Sequence, residues 1–354
     1  MVKKDRRKKT FKIIRSFLDA LFPLGKKTVS EMSVRWSFKA NQWEPTRSQL
    51  LQISSIIQPE EKARIARFHF ISDAKSSLIG RLLIRKLVNV KTGAPNDVIK
   101  LARDEHNKPI LISPKFNELL EKPENNEVEI NHAQENEEVE NKDKQDSSCD
   151  SPAIKNLNFN VSHQGKFVVL VSEPSAVQVG IDVMNVEKPG RITESVDDYF
   201  RLMNRQFTEN EWEQIKTLDG SVPHYFHNKA KLTNFTRFWC LKESYVKAVG
   251  VGIVIDLRSI DFTTKSELGS DLVTDTTIKV NGVPSPEWKF EERFLDDLHI
   301  VTVAKCYALP DNENNGDPSC VPDFENVTLD FLTEGMTTLG DEDQDWVDEF
   351  LKKK

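Results

Sequence analysis

A strongly acidic stretch at residues 117–150 is the feature that most constrains how this chain can fold. It holds twelve acidic residues against three basic ones and few apolar side chains. Such a composition buries too little apolar surface to offset the conformational entropy that folding removes. We therefore predict a disordered insert at 117–150, so that the folded core is assembled from the segments on either side of it.

The two ends of the chain are also biased in charge. Residues 1–30 hold ten basic and two acidic residues, whereas residues 311–354 hold thirteen acidic residues and three lysines. We expect a disordered basic N-terminal extension, and a localisation signal, a mitochondrial presequence and a membrane-surface helix stay open as alternatives. Residues 311–354 are expected to form an acidic tail. The remainder is mildly basic, which suits a phosphate-rich small ligand and argues against nucleic acid as a partner.

Length and composition favour a folded protein in a reducing compartment. The 354 residues suffice for about two domains, and 38% of them are hydrophobic. No apolar run reaches the roughly 18 residues of a membrane span. Cys149, Cys240, Cys306 and Cys320 show no metal-binding spacing, so we expect free thiols and a cytosolic location.

Helix-like and strand-like patterns predict an α+β fold with two units of comparable size, 31–172 and 173–310. Pro59 begins a helical region that runs to Gly93, and alternating apolar residues predict a strand around Trp36. Further strands are predicted near 99–102, 157–162, 167–172, 177–183, 276–280, 287–293 and 298–307, and further helices near 191–203, 208–217 and 235–249.

Two carboxylates stand out as candidate ligands of a hard cation. Asp182 follows an apolar run, and Glu243 shares a helix face with Lys247 four residues later. Mg²⁺ typically takes one or two protein carboxylates together with substrate phosphates. The alternatives are a turn cap at Asp182 and a surface ion pair between Glu243 and Lys247. Ser162 and His163 cannot form a hydrolase pair, because consecutive strand residues point to opposite faces.

Seven segments together resemble the 4′-phosphopantetheinyl transferases, in particular the larger monomeric, animal-type kind. They cover roughly residues 31–308, leaving out the basic start, the acidic insert and the tail. The segments are VRW (34–36), IQPEEKARIARF (57–68), GRLLIRKLV (80–88), NVSHQG (160–165), VGIDVM (179–184), RQFTENEW (205–212) and FWCLKESYVKAVGVG (238–252).

The resemblance implies both a fold and an activity. It implies two similar α+β halves in a pseudo-dimeric arrangement with the active site in the cleft between them. The implied enzyme is a cytosolic monomer that uses Mg²⁺ to move the phosphopantetheine arm of coenzyme A onto a serine of apo acyl carrier protein domains, releasing 3′,5′-ADP. Carriers of the fatty acid synthase type and the aminoadipate-reductase type are the implied partners.

The resemblance also assigns roles to individual residues. Asp182 and Glu243 would bind the metal, and Lys247 would meet the pyrophosphate, which makes these three the catalytic group. Glu243, alone or through a bound water, is the candidate general base for the serine proton. Coenzyme A would contact these three and six more residues, which are Arg64, Arg103, Lys108, Asn160, Ser162 and His163. Met184 stands where many relatives carry a second acid, and water would complete the metal shell there.

Other functions remain open from the sequence alone. A non-catalytic module that binds coenzyme A or a carrier protein would bind coenzyme A tightly without releasing 3′,5′-ADP. An acyl-coenzyme A acyltransferase would need a base near the thioester rather than a metal at the pyrophosphate. Arg85 and Lys86 are predicted to face an acidic carrier-protein helix or, equally, the solvent.

Overall fold

The computed structural model describes residues 32–112, 157–174, 176, 178–187, 195–250, 255–269, 271–307 and 321–354. The predicted basic extension, the predicted acidic insert and residues 311–320 of the predicted tail lie outside the described residues. Within the described part, no helix combines the length and the apolar character needed to cross a membrane.

The described strands form two main sheets and two small ones. One main sheet has the order β12-β1-β5-β4 and the other has the order β10-β11-β6, while β2 pairs with β3 and β8 lies between β7 and β9. The strands are β1 (Val34–Lys39), β2 (Leu101–Arg103), β3 (Pro109–Leu111), β4 (Phe159–Gln164), β5 (Phe167–Ser172), β6 (Gln178–Asn185), β7 (Ile260–Thr263), β8 (Thr277–Val280), β9 (Val283–Pro284), β10 (Trp288–Asp296), β11 (His299–Cys306) and β12 (Glu325–Asn326).

The predicted helical region between Pro59 and Gly93 is two helices. Gln58 and Glu61 form a capping box at the start of the first, and Gly93 ends the second in the left-handed conformation, with φ 72°. The described helices are α1 (Arg47–Ile56), α2 (Pro59–Ala66), α3 (Ile71–Thr92), α4 (Val196–Leu202), α5 (Glu209–Lys216), α6 (His227–Val249), α7 (Leu329–Thr333) and α8 (Gln344–Leu351).

The long helices α3 and α6 cover the outer faces of the two main sheets. Val168 and Leu170 of β5 belong to the core beneath α3, whereas Val169 and Val171 pack against apolar side chains of β6 and β11. This alternation follows from the two-residue period of a strand. The result is a helix, sheet, sheet, helix arrangement, which confirms the predicted mixture of helices and sheets.

Residues 321–354 pack as part of the first unit and so differ from the expected acidic tail. Strand β12 pairs in parallel with β1. The apolar side chains of this segment lie in the core beside α3, namely Val327, Leu332, Trp346, Val347 and Phe350. Helix α8 buries one apolar face and carries its acidic residues on the remaining surface. It is therefore an amphipathic helix, which explains how an acidic segment can belong to the core.

Arg85 and Lys86 are buried, so the prediction that they face a carrier protein or the solvent is wrong. Arg85 is 0% and Lys86 is 1% exposed. The Arg85 guanidinium contacts Glu61 at 2.7 Å, and the Lys86 ammonium donates to the carbonyl oxygen of Glu334 at 2.9 Å. Both charges therefore hold the helices of the first unit together.

Candidate functional site

Alternate side chains of β4 connect the two main sheets. The Asn160 side-chain oxygen accepts from the backbone N–H of Ile181 at 3.2 Å, and the Ser162 hydroxyl donates to Asp182 Oδ1 at 2.8 Å. Because side chains two residues apart share a face of a strand, both reach β6. Asp182 lies within β6 and is not a turn cap.

Gly180 allows α6 to lie directly against β6. A Cβ atom at this position would fall 2.9 Å from the Cα of Ala248 and closer still to the Ser244 carbonyl oxygen and the Ala248 nitrogen. No larger residue fits between these two backbones. The close approach brings one face of α6, carrying Glu243 and Lys247, to the strand that carries Asp182.

Lys247 pairs across this contact rather than along its own helix. Its ammonium lies 2.6 Å from Asp182 Oδ1 and 2.8 Å from the Ser162 hydroxyl oxygen. The alternative of a surface ion pair between Glu243 and Lys247 is therefore wrong. Asp182 is 4% exposed, and its second oxygen, Oδ2, is buried without a hydrogen-bond partner among the described residues. An unpartnered buried carboxylate oxygen is an open position for a cation.

Glu243 supplies a second carboxylate, close enough to Asp182 for the two charges to interact. Burial raises the pKa of Glu243, and the nearby Asp182 raises it further against the opposing effect of Lys247. Nowhere in the described ranges do three or more His, Cys, Asp or Glu side chains cluster as metal ligands. Two carboxylates with one open oxygen fit Mg²⁺, which takes its remaining ligands from phosphates and water.

A cavity of about 350 Å³ opens next to these groups, and the charged residues in its lining are nearly all cationic. Its walls come from the end of α2, α3, β4, α6 and the β2–β3 hairpin. The cationic residues are Arg64, Arg81, Arg103, Lys108 and Lys247, and Glu243 is the only acidic residue in the lining. Such a lining favours a ligand that carries several negative charges.

The turn between β2 and β3 is held by its own aspartate. Asp104 Oδ1 accepts from the backbone N–H groups of His106 and Lys108. This compact turn carries Arg103 and Lys108 to the cavity. Burial lowers the pKa of both side chains, and Arg64 lowers that of Arg103 further.

The structure brings all nine predicted site residues together. Seven line the cavity, which are Arg64, Arg103, Lys108, Asn160, His163, Glu243 and Lys247. Ser162 and Asp182 lie behind Lys247 and are hydrogen-bonded to it. Ser162 is buried while His163 is exposed, as the strand period requires. Partial burial and the Lys247 charge lower the pKa of His163.

Arg81 belongs to the site although it was not predicted from the sequence. This residue of α3 is 7% exposed and lines the cavity, and its buried Nε has no hydrogen-bond partner in the described part of the chain. Burial and the charges of Arg103 and Arg64 lower the pKa of Arg81 to about 10. The sequence carries no signal that sets Arg81 apart. In the structure it lies one helical turn from Ser77, which also lines the cavity.

Lys242 has a different role from its neighbour Glu243. It is buried on the opposite side of α6, where its ammonium lies 2.9 Å from the Glu211 carboxylate and donates to the carbonyl oxygens of Leu257 and Ile260. Glu211 also closes the capping box of α5. Lys242 thus anchors α6 to α5 and β7.

Comparisons with known proteins identify the family of this chain. Residues 41–135 match the family described as 4′-phosphopantetheinyl transferase, N-terminal, and residues 178–302 match the 4′-phosphopantetheinyl transferase superfamily. The L-aminoadipate-semialdehyde dehydrogenase-phosphopantetheinyl transferases of Mus musculus and Homo sapiens are each 37% identical over 274 residues, which is 77% of this chain and 74% of each relative. A phosphopantetheinyl transferase of Thraustochytrium sp. is 29% identical over 270 residues, 76% of this chain and 77% of the relative. The chain therefore belongs to the 4′-phosphopantetheinyl transferase family.

Proposed function

We propose that this transferase moves the phosphopantetheine arm of coenzyme A to a serine of an apo carrier protein domain, requires Mg²⁺, and releases 3′,5′-ADP. The observation that carries the proposal is the cavity lined by five cations, with Glu243 and Lys247 in its wall and Asp182 paired with Lys247. Coenzyme A carries a diphosphate and a 3′-phosphate, and these charges match that lining.

Three side chains act at the diphosphate. Asp182 Oδ2 and Glu243 would hold Mg²⁺, which when bound neutralises charge on the diphosphate oxygens. Lys247 donates to the oxygen that leaves with the α-phosphate, where negative charge builds as the bond breaks. Glu243 takes the proton of the serine hydroxyl, alone or through a bound water, as the serine oxygen bonds to the β-phosphorus and the bond from that phosphorus to the bridging oxygen breaks. Burial keeps the pKa of Glu243 raised, which makes it a better base.

The remaining site residues bind and orient the nucleotide. Arg64, Arg103, Lys108 and His163 line the same cavity and would hold the adenosine end with its 3′-phosphate. Asn160 and Ser162 keep β4 in register with β6, so that the reacting end stays aligned with the nucleotide end.

The proposal extends to partners and setting. Carrier domains of the fatty acid synthase type and the aminoadipate-reductase type are the proposed substrates, met by a monomer whose cleft lies between two similar α+β halves. Support comes from the lining, since residues of both predicted halves contribute to it. A cytosolic location is proposed as well, in keeping with the free thiols of Cys240 and Cys306.

Mass spectrometry of an apo acyl carrier protein tests the activity directly. Incubation with the protein, coenzyme A and Mg²⁺ should add one phosphopantetheine to the carrier, and EDTA should prevent the addition. Transfer that persists in EDTA contradicts the metal requirement. Binding of coenzyme A without a mass gain on any of several carriers contradicts transfer and supports a binding module.

Isosteric variants test the metal ligands. D182N and E243Q should each lower turnover by about a hundredfold or more, because a neutral amide oxygen binds Mg²⁺ much more weakly than a carboxylate. E213Q is the matched control, since Glu213 is exposed on α5. Wild-type rates in both site variants would refute the assignment.

A further inference from the structure

The connection between α2 and α3 is held in place by residues 353 and 354. The Lys353 ammonium donates to the carbonyl oxygens of Ala66 and Phe68, at 2.8 and 2.7 Å. The backbone N–H of Ile71 donates to the carbonyl oxygen of Lys354 at 2.6 Å. The backbone N–H of Lys354 donates to the carbonyl oxygen of His69 at 3.3 Å. Four hydrogen bonds thus join two segments nearly 290 residues apart.

The connection that these residues hold belongs to the wall of the cavity. Phe68 lines the cavity, and Arg64 lines it from the last turn of α2. The last carbonyl groups of a helix have no partner within the helix, and a lysine ammonium satisfies them while meeting the negative end of the helix dipole. Lys353 therefore defines where α2 ends and how the chain turns toward α3.

A second set of contacts fixes the same helix from the same side. The indole N–H of Trp346 donates to the carbonyl oxygen of Lys62 at 3.1 Å, and the Lys62 ammonium lies 2.7 Å from Asp343. The helix that carries Arg64 is thus held by α8 and the residues flanking it. The matched family regions end at residue 302, before this segment begins.

We propose that Lys353 is a positioning residue for coenzyme A, acting through the end of α2 on Arg64 and Phe68. It does not touch the cavity, and it fixes the wall that the nucleotide end of the substrate contacts. The inference rests on the proposed function in one respect, which is that coenzyme A occupies this cavity. Residues 321–354 then contribute to substrate affinity as well as to the core.

Binding measured without any carrier protein separates this inference from the proposed transfer. Calorimetric titration with coenzyme A should give a Kd about tenfold higher for K353M than for the wild type, because a small displacement of Arg64 weakens its contact with a phosphate. K353R should recover most of the affinity, since its guanidinium also donates to carbonyl oxygens. K352M is the matched control, because Lys352 is exposed and carries the same charge.

Kinetics with a saturating apo carrier protein give the second readout. The KM for coenzyme A should rise about tenfold in K353M while kcat stays within about twofold. If folded K353M has the wild-type KM and Kd for coenzyme A, the inference is overturned. It is also overturned if K353M loses thermal stability or kcat while its KM stays unchanged, because that result means that Lys353 has only a structural role. Should K353M fail to fold, the same comparison on K353Q decides. A wild-type protein that binds coenzyme A without transferring it refutes the proposed function and leaves the binding comparison valid.

Discussion

At the scale of one residue, Arg81 is a buried charge that lowers the stability of the ligand-free protein. Its side chain is buried beside Arg64 and Arg103, and its Nε has no hydrogen-bond partner in the described structure. An arginine buried this way loses hydration and is repelled by its neighbours. A bound phosphate would remove both penalties. Arg81 is thus expected to stabilise the complex with coenzyme A and to destabilise the free protein.

Replacing Arg81 with methionine should separate these two effects. We expect R81M to raise the melting temperature of the ligand-free protein by about 2–4 °C. It should also raise the KM for coenzyme A by about tenfold, because an anion contact is lost. Scanning calorimetry and initial rates check both. Exposed Arg201 provides the control R201M, which should change neither, and a lower melting temperature in R81M would mean that the arginine is structural.

At the scale of elements, the contact between α6 and β6 determines the geometry of the reacting groups. Asp182 belongs to the strand, and Glu243 and Lys247 belong to the helix, so their separation depends on the distance between the two backbones. That distance is short because residue 180 has no side chain. A change of helix position would therefore act on all three groups at once.

Gly180→Ala tests this dependence. The new methyl group would overlap the backbone of Ser244 and Ala248, which cannot move independently of α6. We expect a loss of about 3 kcal/mol in the free energy of unfolding and a fall in kcat of about a hundredfold. Denaturant titration and rate measurements provide the test. Gly269→Ala is the control, since no atom lies within 4 Å of its added Cβ. Equal behaviour of the two variants would contradict the argument.

The packing of α3 on the last segment predicts a dependence of stability on pH. Burial lowers the pKa of Lys86 to about 8 from its ordinary 10.5. Between these values the unfolded chain binds a proton that the folded chain does not, so the free energy of unfolding rises with pH. In K86M, the increase in the free energy of unfolding between pH 8 and 10.5 should be smaller than in the wild type by about 1–3 kcal/mol. Lys91 also has a pKa near 8. Its effect on the pH dependence is the same in the wild type and in K86M, so it cancels in the difference between the two proteins.

Urea titrations of wild type and K86M at pH 7.5, 9 and 10 provide the comparison. The difference in unfolding free energy between the two proteins should shift in favour of the wild type as pH increases. A difference that is constant with pH would show that Lys86 titrates normally in the folded protein.

At the scale of the whole molecule, residues 321–354 complete the core of the first unit. Phe350 is 1% exposed and packs with Trp346 in that core, whereas the adjacent Leu351 is 45% exposed. F350A should therefore lower the free energy of unfolding by about 3–5 kcal/mol, and L351A should change it by less than about 0.5 kcal/mol. Chemical denaturation measures both. Similar losses in the two variants would contradict the described packing.

Sequence patterns predicted the local elements well, because periodicity reports which face of an element is buried. The strands around Trp36 and Asp182 lie where the patterns placed them. The helix of Glu243 ends at residue 249 as predicted but begins at His227, eight residues before the predicted start at 235. The residue pattern singled out Asp182 and Glu243, with Lys247 on the same helix face, and the resemblance added the other six site residues. The structure gathers all nine around one cavity. Their individual roles stay predictions.

The same patterns could not predict which residues are buried by segments that are distant in the sequence. Composition made residues 311–354 look like a solvated tail, because a helix with one buried stripe is still mostly charged. Lys86 and Arg81 look like surface residues in the sequence, and only the packing of distant segments buries them. An unpaired charge such as Arg81 has no sequence signature, since nothing local distinguishes it from a partnered one.

The parallel pairing of β12 with β1 has a consequence for how the chain folds during synthesis. The Ser37 hydroxyl donates to the carbonyl oxygen of Glu325, 288 positions later. Protein synthesis proceeds at about 5–20 residues per second, so β12 is made roughly 15–60 s after β1. During that interval a nascent chain exposes an unpaired strand edge and the apolar surface that α8 will cover. Prematurely terminated chains never close that edge, so they are expected to be substrates for chaperones and proteases.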